Sequence, residues 1–431
     1  MNKLLFTFIV LFFLNNCSFN ENSSLWSEKK QNLEIKNTKN ISDDIAEVKK
    51  ELNENLKLDL AGIKIKNKID INKNNYSSQK FGGQLNKISN YKFSKWDKKN
   101  NFNFKPVFLK DGIIFFDKKG SIIKYNSNQK VLWKKNYYSK AEKKLNPKMH
   151  FYSNNENLFI FDNIAKYYSL NLKSGELNWS KNNIYPFNSE AKIYKDKIFV
   201  VDYENTLRCY KIKDGSEVWS LKTDKSFTIS QSKHSLIIVD NSVVFSNSIG
   251  DITSVNIDTG LIQWQVPTQN TKVKNESYNL KFSKLISDGD SIFFSTNKNE
   301  FYSIEAKTGT INWINKINSN VMPVIIGNLI ITISNEGYFY LLERKNGKII
   351  RATNLFESFK EKQKEQIYPI GFVVGDKNLY LTNSDGDMMI ISLETGRIIK
   401  VIDIARSIVS EPFIFNNNLY VVRNGSIVQY N

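Results

Sequence analysis

A chain of 431 residues has the length of about three ordinary domains, unless an internal repeat builds one large one. Its 61 Lys and Arg against 43 Asp and Glu give a formal charge of +18, while 41% hydrophobic residues, with 29 Phe, 20 Tyr and 7 Trp, exclude a disordered chain. Two cysteines, Cys17 and Cys209, exclude a disulfide framework, and two histidines, His150 and His234, weigh against a histidine-ligated zinc site or a His-based triad. The basic excess is spread along the chain without an Arg-rich block, so solvated lysine faces account for it and no nucleic-acid partner is expected.

The chain opens with a short positive stretch, Met1-Asn2-Lys3, and an apolar run from Leu4 to Leu14. Eleven helical residues span about 16 Å, roughly half a bilayer core, so the run reads as a signal peptide over 1–17 and not as a transmembrane anchor. It exits through Leu14-Asn15-Asn16-Cys17-Ser18, which resembles a bacterial lipobox, with Asn16 where that motif has a small residue. The resemblance implies lipid attachment at Cys17, and Ser18 implies transfer to the outer membrane.

Residues 18–90 read as a polar tether. Within it Ile41, Ile45, Val48, Leu52 and Leu56 recur at helical spacing behind an N-cap at Ser42-Asp43-Asp44, predicting one amphipathic helix over about 41–60. Lys64 to Asn75 reads as flexible linker.

From Trp96 onward short β-branched and aromatic runs alternate with Gly, Asn and Asp turns. Four segments place Gly four residues before Trp: Gly175–Trp179, Gly215–Trp219, Gly260–Trp264 and Gly309–Trp313. Gln129–Trp133 precedes them, and Gly347–Arg351 and Gly396–Lys400 follow as degenerate copies. A spacing of about 40–50 residues is one four-stranded propeller blade, with glycine supplying the positive φ of its last hairpin. In the unit ending at Trp313, strands are expected at Ser291–Thr296, Glu300–Glu305 and Thr310–Trp313. Trp96, Trp133, Trp179, Trp219, Trp264 and Trp313 are the expected blade-docking residues, each too large to stay on an outer edge.

The C-terminus offers three strands without a fourth, and Tyr91–Trp96 is an outer strand without a blade. Joining them gives an all-β, eight-bladed propeller of four-stranded antiparallel blades over 91–431, its ring closed by an N-terminal strand. Two insertions stand out: Gln269–Lys281, and Asn354–Gln366, which reads as a short charged helix. Both histidines read as surface or turn residues.

The unit Ser254-Val-Asn-Ile-Asp-Thr-Gly-Leu-Ile-Gln-Trp264 and its copies resemble the pyrroloquinoline-quinone-type propeller repeat. Within that superfamily the exported lipoprotein-like start resembles the BamB outer-membrane protein assembly family. The resemblance implies a non-catalytic scaffold without cofactor, lipid-anchored at the periplasmic face of the outer membrane and bound to a protein of the barrel-assembly machinery. It places partner contacts on loops that here read Phe227, Ile229, Gln231 and Leu280, Lys281, Phe282. The Arg and the acidic pair that the family carries there have no counterpart. A propeller lipoprotein with another envelope role remains open, as does a quinone-dependent dehydrogenase. The dehydrogenase resemblance would require adjacent cysteines and carboxylate-held calcium. Cys209 stands alone, and Asn383-Ser-Asp385-Gly-Asp387 lacks the distal Glu of a calcium loop.

Overall fold

The computed structural model describes residues 50–59, 75, 80–95, 104–225, 233–268, 280–405 and 409–431. The compact unit Glu47–Asn431 holds all of them, and the unit Met1–Ala46 lies outside the described residues.

Eight four-stranded antiparallel sheets follow one another along the chain. Seven are continuous in sequence, at 107–135, 149–182, 192–222, 236–267, 286–315, 324–354 and 369–403; we number them blades 1 to 7. Blade 8 takes three strands from 413–430 and its outer strand from Lys87–Lys92, which pairs antiparallel with Ser426–Tyr430. The N-terminal strand therefore closes the ring, as the repeat count requires.

The second and third strands of each blade are buried along most of their length, and second strands such as Gly112–Phe116 and Asn157–Asp162 are near-continuous apolar runs. Each sheet is sandwiched between two others, so both of its faces are dry and alternation is lost. The outer strands keep the alternation: in Glu217–Lys222, Trp219 and Leu221 turn inward while their neighbours face solvent. The core is consequently divided among the blade interfaces. One cluster joins Phe199, Leu207 and Cys209 of blade 3 to Leu236, Val243 and Phe245 of blade 4.

Asp or Asn at the turn before the third strand recurs as a local fastener. Asp202 Oδ1 accepts from the backbone N–H of Glu204 and Thr206, and Asn383 Oδ1 does the same for Asp385 and Asp387. The calcium-like stretch at 383–387 is thus one of these side-chain-closed turns.

Three expectations need correction. The closing strand is Lys87–Lys92, not Tyr91–Trp96, and Trp96 lies outside the described residues. Next, the described part of the expected 41–60 helix is an extended strap. Leu52 and Ala352 exchange two backbone hydrogen bonds, and Leu58 N donates to the Glu394 carbonyl. Leu58 packs against the core between blades 6 and 7. The open edge of Ile349–Asn354 supplies backbone partners, and this tertiary opportunity overrides the helical spacing. Finally, Asn75, expected in a flexible linker, is buried, with its amide nitrogen 2.8 Å from the Leu285 carbonyl.

Candidate functional site

The motif that defines the repeat is a joint between blades. A Cβ added to Gly175, Gly215, Gly260, Gly309 or Gly347 would fall 2.6–2.8 Å from the ring of Trp133, Trp179, Trp219, Trp264 or Trp313 of the preceding blade. Each of these glycines also has φ between +68° and +77°. Two constraints therefore converge on one residue: a left-handed turn, and a ring lying against its α-carbon. The indole N–H groups of Trp179, Trp219, Trp264 and Trp313 reach across at 3.0–3.1 Å to the carbonyls of Ile212, Ile257, Ala306 and Arg344. At the sixth joint Arg351 lies over Gly396, and its Nη1 donates to the Glu394 carbonyl at 3.1 Å.

The closing joint is different. Register places Ser89, opposite Gln429, where Trp179 stands opposite Ser169, each followed by the same break in pairing. Gln129 occupies the glycine position of the next blade at φ +63°. Its side chain accepts from Asn90 N at 3.0 Å and donates to Ser89 Oγ at 3.4 Å. With no glycine to lie against, the joint holds no tryptophan.

The expected contact residues divide. Phe227, Ile229 and Gln231 lie outside the described residues, as does Cys17. Leu280 is 2% exposed, and Phe282 forms a bridge with Thr296 and packs on Phe294. Phe282 therefore holds the loop onto blade 5, Leu280 is buried beside it in sequence, and Lys281 is exposed. In the other insertion Leu355 and Phe356 are buried and a short exposed helix follows at Glu361–Lys364. Ile184 was not anticipated. It lies in the loop from blade 2 to blade 3 and is 80% exposed, with the half-exposed Tyr185 beside it. An Ile-Tyr-Pro stretch between a polar strand end and the next blade was its sequence signal.

A second site lies on the ring axis. Lys284, entering blade 5, bridges Glu190 of blade 3 at 2.8 Å and Glu411 of blade 8 at 3.0 Å. Side chains from three non-adjacent blades meet only at the axis. Lys105, Glu190, Lys284 and Glu411 each stand two residues before the first strand of a blade, so they share one mouth of the channel. Lys192 is 3.9 Å from Glu190 and donates to Asn75 Oδ1. Lys233 lies over the Phe104 ring, which packs on His150, and Lys105 lies over Phe413.

Burial alone would raise the Glu190 carboxyl, but Lys284, Lys192 and Lys105 outweigh it and hold it far below the usual range. Burial likewise opposes the Lys284 charge, and the two glutamates outweigh it. Burial brings Lys233 down to about 7, against the pull of Glu190 and with help from Lys284 and Lys148. Lys105 is lowered for the same reasons. His150 is kept neutral by burial and by Lys233, and His234, which is buried, falls to about 4 through burial alone. Neither histidine has the exposed position read from sequence: His150 packs against Phe104, and His234 is enclosed beside Asn188 and Ser189 at the entry to blade 3. Fixed offsets before each blade's first strand were the available signal for this cluster.

Among the described residues, no group of three or more His, Cys, Asp or Glu side chains is placed to share a metal ion. Cys209 is buried in a strand, and burial pushes its thiol up to about 12, which makes it a poor nucleophile.

A family profile described as outer membrane protein assembly factor BamB matches residues 118–353. The outer membrane protein assembly factor BamB of Shewanella oneidensis is 20% identical over 268 residues, covering 61% of this chain and 66% of that protein. The chain thus spans just under two thirds of the curated relative it matches. The crystal structure of BamB from Moraxella catarrhalis is similar at 16% identity and TM-score 0.65, covering 80% of this chain and 99% of that one. Quinohemoprotein alcohol dehydrogenase from Comamonas testosteroni is similar at 9% identity and TM-score 0.61, covering 82% and 78%. At these identities the structural likenesses describe the fold alone.

Proposed function

The chain belongs to the outer membrane protein assembly factor BamB family, and from that premise we propose that it is a non-catalytic scaffold docking a protein of the barrel-assembly machinery. The docking face in this reading is formed by the loops that lead from one blade to the next around blades 2 to 5. It includes Ile184, Tyr185 and Lys281, together with the sequence-assigned Phe227, Ile229 and Gln231. Cys17 tethers the scaffold to the outer membrane, facing the periplasm.

One observation carries the docking face: Ile184 is the most exposed large apolar side chain among the described residues, on a loop fixed at both ends by a rigid blade. An isoleucine held in water on an ordered loop gains about 1.5–3 kcal/mol on full burial, which is the scale of an interface anchor. The rigid ring beneath keeps the loops positioned without a partner, lowering the ordering entropy of association.

The test is co-purification from solubilised membranes with the chain as bait. Ile184→Asp combined with Ile229→Asp should remove the barrel-assembly proteins and leave the melting temperature within a degree or two. Normal recovery of those proteins by the double variant would place the partner on another face. Recovery of a different envelope protein by the unaltered chain would support another cell-envelope role in place of this one.

A further inference from the structure

We infer that the loop from blade 1 to blade 2 is a contact for an anionic phospholipid surface, formed by Lys119, Lys140, Lys143 and Lys144 around the exposed Leu145. The inference rests on the reading above only for the nearness of a membrane.

The loop keeps its shape without a partner. Tyr138, at its start, is buried and donates to Asp162 Oδ2 at 2.6 Å, and Lys148 N, at its end, donates to Asn163 Oδ1 at 2.6 Å. Between these pins one helical turn, Lys140–Lys144, is closed by a capping box, with Glu142 N donating to Ser139 Oγ and Ser139 N to Glu142 Oε2. No residue of that turn is buried, and Leu145 behind it is 61% exposed. A helix this short draws no stability of its own, so the pins and the cap are what present its side chains to solvent.

The basic excess, spread thinly over the rest of the chain, concentrates here. Asp117 and Glu142 are the only acidic residues between positions 117 and 148. Both are taken, by Lys134 at 2.9 Å and Lys166 at 3.1 Å. Lys119, Lys140, Lys143 and Lys144 are left with no carboxylate partner among the described residues. Lys119 borders the loop: its carbonyl accepts from Asn136 Nδ2 at 3.0 Å, and a Cβ on the adjacent Gly120 would fall 2.8 Å from the Tyr138 ring. Lys140 and Lys144 share one helix face, where like charges repel, and a layer of negative headgroups relieves that repulsion.

Shape and residue type select the occupant. The stretch from 117 to 148 has no arginine, so it lacks the planar fork that reads a carboxylate or phosphate at fixed geometry. Ammonium groups on flexible stems suit a diffuse field of phosphates, and a leucine at a protruding tip suits the headgroup boundary. Each lysine brought to an anionic surface favours binding by about fivefold. A chain already tethered through Cys17 needs little more than that, because the tether raises the local concentration of the loop at the bilayer. The Ile184 loop lies beside this one: Asn183 N donates to the Ala165 carbonyl at 2.7 Å, so the two loops flank the same turn of blade 2. Lipid contact and protein contact are therefore neighbours that different substitutions remove.

The experiment uses the full chain, held on vesicles by its own N-terminus, with an environment-sensitive fluorophore on Ala141→Cys. The unsubstituted chain, treated in the same way, gives the background. Vesicles are pure phosphatidylcholine or contain about one third phosphatidylglycerol. On the anionic vesicles the emission should shift to the blue and rise at least about threefold, and about 0.5 M salt should reverse the change. The same label on Leu261→Cys, at the opposite end of the outer strands, should not respond. Combined Lys119→Gln, Lys140→Gln and Lys144→Gln should abolish the response, and Leu145→Asp should weaken it, with the melting temperature unchanged in both. No response at position 141, an equal response on neutral vesicles, or an equal response at position 261 overturns the proposal. A silent fluorophore together with loss of the barrel-assembly proteins from the triple-lysine variant also overturns it and assigns the lysines to the protein partner. The Ile184→Asp and Ile229→Asp variant should leave the fluorescence unchanged, so the two readings fail separately.

Discussion

Blades 1 to 6 and the closing sector solve the same packing problem with different chemistry. Five joints press a tryptophan onto a glycine whose turn needs positive φ. The sixth uses Arg351, the seventh leaves Lys400 exposed, and the eighth pairs Ser89 with Gln129. The first arrangement gains from shape and apolar area, and it demands two coordinated residues in different blades. The closing sector cannot repeat it, because the outer strand of blade 8 comes from the far end of the chain and faces a Gln. Instead that sector is wrapped by N-terminal segments. The strap at 50–59 edges blade 6, and Phe81 packs on Tyr380 at 5.1 Å. Repetition secures one half of the ring, and chain that precedes the repeats secures the other.

The largest expected effect is on closure. Removing residues 1–95 takes away Lys87–Lys92 and Phe81, leaving Ser426–Tyr430 as a bare buried edge. That chain should fail to give a cooperative melt, whereas removing residues 1–49 should shift the melting temperature by a degree or two. A normal melt for the shorter chain would show that the N-terminal strand is dispensable.

Next come the tryptophan joints. Trp219→Ala should cost about 3–5 kcal/mol in denaturant unfolding. Gly260→Ala should cost roughly 2–4 kcal/mol, combining left-handed strain with a Cβ 2.8 Å from the Trp219 ring. Gly289→Ala also has positive φ but meets nothing within 4 Å, so it should cost only about 1 kcal/mol. Equal losses at the two glycines would mean that the ring contact contributes nothing.

Acid should act on the regular half through His234. The folded state holds this imidazole neutral down to about pH 4, while the unfolded chain protonates it near 6.5. Below about 6.5 the unfolded state binds a proton that the fold excludes, so stability falls until about pH 4, by up to about 3 kcal/mol. His234→Gln should remove that slope, as measured by urea unfolding across pH 4–7.

The smallest effect is a gain. Arg351 is 0% exposed, and its Nε and Nη2, like Thr353 Oγ1, have no hydrogen-bond partner among the described residues. Burial of that guanidinium beside Arg397 disfavours its charge. Arg351→Trp restores the motif over Gly396 and should stabilise the protein by about 1–2 kcal/mol, read as a raised denaturation midpoint. A loss would show that the strap, whose Leu58 shares the Glu394 carbonyl with Arg351, needs the arginine.

The amino-acid sequence alone determined the period, the eight blades and the origin of the eighth outer strand. Those follow from turn chemistry and apolar runs, both local. The hairpin glycines and the strands Ser291–Thr296 and Glu300–Glu305 fall where the pattern puts them. Tertiary structure decided which residues meet across the ring. Trp96 resembles the repeat tryptophans in sequence, yet pairing register puts Ser89 in their position, because register depends on the partner strand, where Gln429 lies 340 residues away. Leu52 and Leu56 carry helical spacing, yet an open blade edge draws their segment into an extended strap. Leu280 reads as an anchor for a partner and is buried within this chain. Lys105, Glu190, Lys284 and Glu411 are unremarkable charges in four separate loops until closure of the ring brings them to one axis.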